Sequence, residues 1–251
     1  MRKSYTDEEL ILRVWDVEEI KKIMHRRVFY IAGDRRAAEL DELWVLEPEN
    51  KKAASFGRNW GWYTGMDNIR AYYVDAHEKH LAEQMIETGA KEKNVGNIYA
   101  HPVTTGLIIL ANDGNTAKGM WYVIAQETTA KADNSADVRW ILEKIAVDFI
   151  REGEDWKIWH MMIAMDLNCE AGEDYSKQPV YVNWDRDPIK REFGAPTIAA
   201  LAHDPAFNWW DNYPPMPEPY ETFTTAISYG PEGWKPPTDK GLFAGEGRNF
   251  K

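Results

Sequence analysis

Cysteine is nearly absent from this sequence, which has Cys169 alone among its 251 residues. A single cysteine cannot form an intramolecular disulfide, and it cannot supply a zinc site built from several thiolates. Basic residues are also in short supply, because 30 lysines and arginines stand against 41 acidic residues and leave a net charge of −11. Nucleic acids and anionic membranes attract basic surfaces, so we expect neither as a partner.

Long apolar runs and nucleotide-binding loops are missing as well. No stretch approaches the roughly 18 uninterrupted apolar residues of a membrane-spanning helix, and the first residues, MRKSYTDEEL, lack the apolar centre of a secretion signal. We therefore expect a cytoplasmic protein. The chain has no glycine-rich phosphate loop and no Gly-x-Ser-x-Gly motif, so the sequence predicts neither a nucleotide cofactor nor a covalent serine intermediate.

Metal-ligand spacing occurs at one place only. His77 and His80 have the i, i+3 spacing that lets two histidines share a helix face. Because no third ligand is evident from the sequence, a solvated helix face explains them better, and we predict no metal site.

Aromatic residues are plentiful, with 12 tryptophans and 12 tyrosines, and hydrophobic residues make up 44% of the chain, which is enough for a core. Flat side chains in such numbers can line a pocket for an aromatic or polycyclic ligand. Their commonest use, however, is in an ordinary core or a subunit interface. Composition alone leaves both interpretations open.

Residues 98–167 predict four consecutive strands of a curved antiparallel sheet. The segments are apolar and β-branched, and they are separated by short polar turns at Asp113-Gly114 and around Gly153. Such turns are too short for the crossovers that parallel strands require. A helix with apolar residues at spacings of three and four is predicted over residues 16–32, after a short first helix that begins at Thr6. Helices on one face of an antiparallel sheet give an α+β fold.

His101 lies in the first of these strands, where the period of two places it on the apolar face with Tyr99 and Val103. A histidine titrates near neutrality, so in a dry pocket it can remove a proton and return it to a leaving oxygen. The alternative is a core histidine that is satisfied by a backbone carbonyl.

The order of elements, the hairpin at residues 111–119 and the segment DFIREGEDWKIWH at residues 148–160 resemble the SnoaL-like branch of the nuclear-transport-factor-2-like (NTF2-like) superfamily. The resemblance extends over residues 8–168. It implies a cone-shaped barrel in which helices cover the concave face of a curved sheet. We therefore expect this barrel over residues 1–170 and a proline- and tryptophan-rich extension over residues 171–251, wrapped over the barrel or over a neighbouring subunit.

The resemblance also implies a cofactor-free lyase or dehydratase that uses acid–base chemistry on a hydroxylated aromatic or polycyclic molecule, as in scytalone dehydratase and bile-acid 7α-dehydratase. Lyases of lignin-derived diaryl compounds are related cases. The fold also hosts isomerases, cyclases and non-catalytic binding or assembly modules, so these remain alternatives.

By the same resemblance, Tyr30 and His101 match a helix tyrosine and a sheet histidine of the family. His101 is then the general acid and base, Asp34 orients it and Tyr30 polarises the substrate. Asp34 fits this role in one alignment and is a helix cap in another.

Further residues are candidates for substrate binding, although each has an ordinary structural alternative. Asp148 and Asp166 are expected at turns or at the rim of the barrel. An open sheet leaves an apolar outer face, so we expect a homo-oligomer, either a dimer or a trimer. The substrate-binding candidates are Trp62, Tyr99, Trp121, Glu143 and His160.

Overall fold

The computed structural model describes residues 4–173, 194–200, 203 and 213–233. Helices and one short hairpin come first, and a meander of long strands follows. The helices are Asp7–Ala32 (α1), Arg36–Leu43 (α2), Pro48–Ala53 (α3), Met66–Arg70 (α4) and Ala76–Thr88 (α5), with a π-helical turn at Ala71–Asp75 and a 3-10 turn at Thr225–Ile227. The strands are Ser55–Arg58 (β1), Gly61–Thr64 (β2), Ile98–Ala100 (β3), Val103–Leu110 (β4), Thr116–Ala130 (β5), Ala136–Glu152 (β6), Asp155–Glu170 (β7) and Ile198–Ala199 (β8).

These strands form one curved, unclosed sheet in the order β3-β5-β6-β7-β1-β2-β8, with β4 also paired to β5. Every pairing is antiparallel except that of β1 with β7. The predicted α+β class with a curved antiparallel sheet is confirmed. The first predicted strand needs correction, because it is broken into β3 and β4 at His101 and Pro102. Proline has no backbone N–H, so it cannot donate to a sheet ladder.

α1 is longer at its N-terminus than predicted. Thr6 caps it as expected, since the Thr6 hydroxyl accepts from the Glu9 N–H at 3.2 Å and the Glu9 carboxylate accepts from the Thr6 N–H at 2.7 Å. The apolar stripe does not extend into the first turns, where Ile11, Val14 and Trp15 are exposed. Because the apolar periodicity is lost there, the sequence predicts two helices where the structure has one. In the described part of the chain, no helix has both the length and the apolar character needed to cross a bilayer.

The sheet is covered on both faces. Its helix side packs Trp121, Ile145 and Phe149 against Ile20 and Met24 of α1 in the main core. The opposite face, which we call the arm side, forms a second apolar cluster. This cluster consists of Trp62, Met120, Ala146, Met162, Ala164 and Tyr229.

The C-terminal arm, residues 213–233, is attached to the arm side of the sheet by hydrogen bonds to a buried carboxylate. Asp148 accepts hydrogen bonds from the ammonium group of Lys118, from the Ser228 hydroxyl at 3.0 Å and from the Tyr229 N–H at 2.7 Å. Lys118 also donates to the Ile227 carbonyl at 2.6 Å. The prediction that Asp148 lies at a turn or rim is wrong, because its side chain is completely buried.

A second buried ion group lies on the same side. Asp166 lies 3.5 Å from the Lys144 ammonium nitrogen and 2.6 Å from Nε2 of His203. The rim position predicted for Asp166 is therefore also wrong. Burial lowers the pKa of Lys118 and of Lys144, although in each case the paired carboxylate opposes that shift. Trp184, Trp209, Trp210 and Trp234, which the sequence assigns to the extension, lie outside the described residues.

Candidate active site

His101 lies in the break between β3 and β4, and both of its ring nitrogens face carboxylates. Nε2 lies 2.9 Å from Glu127 Oε1, and Nδ1 lies 3.3 Å from Glu143 Oε1. Glu127 belongs to β5 and Glu143 to β6, and the pleat turns both toward the helix side. A carboxylate accepts hydrogen bonds, so this arrangement favours a ring with a proton on each nitrogen. The structure therefore holds His101 as an imidazolium between two glutamates.

The electrostatics agree with this geometry. Burial alone lowers the pKa of His101, but the hydrogen bonds to Glu127 and Glu143 raise it to about 9. Burial raises the pKa of Glu127, yet its contact with His101 holds that pKa below the ordinary value. The Glu127 side chain is 34% exposed, against 11% for His101 and 3% for Glu143. Glu127 is thus the member of this group that a ligand can reach most readily.

Arg58 extends the group across the sheet from the end of β1. Its Nη2 donates to the Met165 sulfur at 3.6 Å, and its guanidinium carbon lies 5.1 Å from the centre of the Trp60 ring. Met165 is the cross-strand partner of Glu143, so Arg58 reaches the helix side beside that carboxylate. Burial lowers the pKa of Arg58, but Tyr72, Glu143 and Glu127 together raise it above its usual value.

Tyrosines from the hairpin and from the π-helical turn form a wall near this charge. The Tyr63 and Tyr72 rings stack with centroids 3.8 Å apart and planes 8° from parallel. The next residue, Tyr73, donates to the buried Glu39 carboxylate at 2.7 Å, which ties the turn to α2. π-helical turns occur often at functional sites, and this one places two adjacent tyrosines in the core.

Asp34 is placed differently from the prediction. Its carboxylate lies 2.7 Å from Nε2 of His77 on α5, whereas the carboxylates at His101 are Glu127 and Glu143. The orienting contact predicted between Asp34 and His101 is therefore wrong. The helix-cap alternative does not hold either, because Arg35 is the N-cap residue of α2. Asp34 adopts a left-handed φ of 51° directly after α1, and this turn brings its side chain to α5.

Tyr30 also lies apart from the His101 group. Its hydroxyl donates to the Glu42 carboxylate and accepts from Nη2 of Arg26 at 2.8 Å. Both partners are exposed, with 43% and 55% of their side chains accessible. The hydroxyl is thus engaged between α1 and α2 near the surface, and the predicted role in polarising the substrate is not supported by its contacts.

The structure places Tyr99 and Glu143 in the His101 group, whereas Trp121 lies in the core. Tyr99 pairs directly with Glu127 across β3 and β5, and burial raises the pKa of its phenol to about 12. Trp121 is 3% exposed and packs edge-on against Phe149, which makes it part of the core rather than an open wall.

Trp62 and His160 lie on the arm side of the sheet, so their predicted place beside His101 is wrong. The Trp62 indole donates to the Tyr229 carbonyl at 3.3 Å. His160 lies opposite Asp148, with Nδ1 3.0 Å from the Ser55 hydroxyl. Burial lowers the pKa of His160 to about 4, so this histidine is neutral at ordinary pH.

Glu127 and Arg58 are the members of the group that sequence reasoning missed. Glu127 continues a run of alternate buried positions, after Val123 and Ala125, and a carboxylate at such a position was the available signal. Arg58 gave no comparable signal in a short aromatic segment. Within the described ranges, histidines, cysteines and carboxylates do not form a group of three or more with the arrangement of a metal site.

The sequence profile of the SnoaL-like domain matches residues 12–162, so the chain belongs to the SnoaL-like family. A search of curated proteins gave no match.

Three solved structures that are similar to this chain differ widely from it in sequence. An NTF2-like protein with a cystatin-like fold from Novosphingobium aromaticivorans is 15% identical, with coverage of 70% of this chain and 96% of its own and a TM-score of 0.45. A scytalone dehydratase-like protein from the same species is 9% identical, with coverages of 64% and 91% and a TM-score of 0.44. A hexachlorocyclohexane dehydrochlorinase, LinA type 2, is 15% identical, with coverages of 65% and 94% and a TM-score of 0.44.

Proposed function

We propose that this protein is a cofactor-independent lyase that eliminates water, or breaks a C–C or C–O bond, in a hydroxylated aromatic or polycyclic small molecule. The observation that carries the proposal is the placement of His101 between Glu127 and Glu143, with a carboxylate at each ring nitrogen. Elimination requires one group that accepts a proton and another that donates one. A partly exposed carboxylate in contact with an imidazolium provides both.

The charge and exposure of His101, Glu127 and Glu143 suggest which residue acts as acid, which as base and which as support. With a pKa of about 9, His101 is protonated at neutral pH and acts first as the acid. Glu127 is the accessible carboxylate and acts as the base. Glu143 is almost fully buried and holds the other ring nitrogen, which fixes the orientation of the imidazole.

The proposed dehydration consists of a proton abstraction, a proton donation and a return of the proton. Glu127 takes a proton from the substrate carbon next to the carbinol, and that electron pair forms the new C=C bond as the C–O bond breaks. His101 gives its Nε2 proton to the departing hydroxyl, which leaves as water. The proton on Glu127 then passes to His101 along their 2.9 Å contact, which restores the original state. In a C–C cleavage, Glu127 deprotonates a hydroxyl and His101 protonates the carbon that leaves with the electron pair.

A substrate panel with a matched variant tests this proposal. Hydroxylated aromatic alcohols and diaryl diols are incubated with the protein and a chelator, and products are followed by liquid chromatography with mass spectrometry. We expect at least one compound to lose water or be cleaved, and we expect Glu127→Gln, which keeps the shape but not the basicity, to lower kcat by about 10² or more.

Glu83→Gln, an exposed carboxylate on α5, is the control and should leave kcat unchanged. Binding of panel compounds without any turnover would contradict the lyase proposal and favour the non-catalytic binding module. Turnover that survives Glu127→Gln at the parental rate would remove Glu127 from the base role.

A further inference from the structure

We propose that Arg58 binds an anionic oxygen on the substrate, either a carboxylate or a phenolate carried by its aromatic ring. This inference rests on the proposed function, since it names a substrate class for the same group of residues. It starts from the hydrogen-bonding state of Arg58, a half-buried arginine with a buried Nε, which differs from that of the buried cations.

The buried lysines and arginine of the described residues each face a carboxylate. Arg27 lies 3.1 Å from Glu39, Lys118 pairs with Asp148, and Lys144 lies 3.5 Å from Asp166. Such pairing is the usual condition for burying a charge, because an unpaired ion loses its hydration without compensation.

Arg58 lacks such a pair among the residues that the structure describes. Its hydrogen-bond acceptor is the Met165 thioether at 3.6 Å, which is a weak acceptor. Its Nε is buried and has no hydrogen-bond partner. Buried N–H groups in proteins are nearly always satisfied, so this guanidinium, with its free Nε and no carboxylate partner, is suited to an acceptor that arrives with a ligand.

The surroundings of Arg58 suit an aromatic anion. Trp60 covers one side of the guanidinium at 5.1 Å, and a fork of N–H donors lies in the guanidinium plane, which matches the two oxygens of a carboxylate. The stacked Tyr63 and Tyr72 rings belong to the core on the same side of the sheet, so the guanidinium lies in aromatic surroundings.

The charges near Arg58 allow an anion to enter. Glu127 and Glu143 carry two negative charges, and the His101 imidazolium and the Arg58 guanidinium carry two positive ones. An incoming anion therefore meets a balanced group rather than a net negative one. With its oxygen on Arg58, the ligand would place the rest of its skeleton toward Glu143 and His101, since Met165 joins the two positions across β7 and β6.

Isothermal titration calorimetry with the full chain tests the proposal through two matched pairs of probes. The carboxylate arm compares 4-methoxybenzoate with its neutral methyl ester, and the phenolate arm compares 4-nitrophenolate with neutral 4-nitroanisole. We expect one of the two anions to bind at least about tenfold more tightly than its neutral partner. The arm that shows this preference identifies the oxygen. Arg58→Met should abolish the preference while leaving affinity for the neutral probe unchanged.

Arg70→Met, which removes an exposed arginine from α4, is the control and should keep the preference. A thermal melt shows whether Arg58→Met folds, and Arg58→Lys, which keeps the charge but loses the fork of donors, provides a second reading. An anion preference that is missing from the parent, or unchanged in both Arg58 variants, overturns the inference. These measurements need no turnover, so a preference that depends on Arg58 stands even if no panel compound reacts. Turnover without such a preference overturns this inference alone.

Discussion

Replacing His101 with alanine is expected to lower kcat/KM by about 10²–10⁴, the range typical for the loss of a positioned acid or base. His101 holds the proton that the leaving group needs, and it is the contact through which Glu127 is restored after each turnover. Its removal also leaves the Glu143 carboxylate, which is 3% exposed, without the imidazolium. The measurement is kcat/KM on whichever panel compound the parent converts.

His101→Gln separates proton transfer from hydrogen bonding. The glutamine amide can donate to a carboxylate but cannot exchange a proton with it, so this variant should be nearly as inactive as His101→Ala while keeping more stability. His25→Gln, at an exposed position on α1, is the control. Full activity in His101→Gln would show that the hydrogen bonds of His101 have only a structural role, and it would contradict the assignment of His101 as the acid.

Replacing Asp148 with alanine is expected to reduce the free energy of unfolding by about 3–5 kcal/mol, the usual cost of removing one partner from a buried ion pair. The change leaves the Lys118 ammonium group buried without its carboxylate, and it removes the acceptor of the Ser228 hydroxyl and the Tyr229 N–H. The C-terminal arm should then detach more readily from the sheet and become more accessible to protease. Urea denaturation measures the first effect, and limited proteolysis followed by mass spectrometry measures new cleavage within residues 213–233.

A double-mutant cycle measures the energetic coupling between Lys118 and Asp148. Lys118→Met in the Asp148→Ala background removes the stranded charge, so the double variant should be less destabilised than the sum of the two single changes. Asp75→Ala, at an exposed position before α5, should change stability by about 0.5 kcal/mol or less. A similarly small effect for Asp148→Ala would mean that the buried pair does not hold the arm.

The parts of the fold that could be predicted from the sequence depend on local signals. Hairpin turns such as Asp113-Gly114 and the alternation along the strands fix an antiparallel meander with little reference to the rest of the chain. The position of His101 on the helix side followed from the same alternation. The pairing of β3 with β5, which brings Glu127 to His101, depends on a register set by the strand break at Pro102, and no local pattern specifies that register.

The misplacement of His160 has a physical cause. The arm covers the outer face of β7, so His160 and Met162 on that face are buried just as Met161 and Ile163 are on the other. Alternation identifies an inward face only when the opposite face is polar, and this strand has no polar face. The role assigned to Asp34 was wrong for a different reason. The left-handed turn after α1 sets the direction of the Asp34 side chain, and the sequence does not determine that turn.

Direct titration of the His101 ring by nitrogen-15 NMR is the most immediate test of the claim that this histidine is held as an imidazolium between two glutamates. The His101→Gln spectrum assigns the signal by its disappearance. We expect a pKa of about 9 in the parent, against the ordinary value of 6.5, and a lower pKa in Glu127→Gln and in Glu143→Gln. A parental pKa at or below 6.5, unchanged by either variant, would contradict the account.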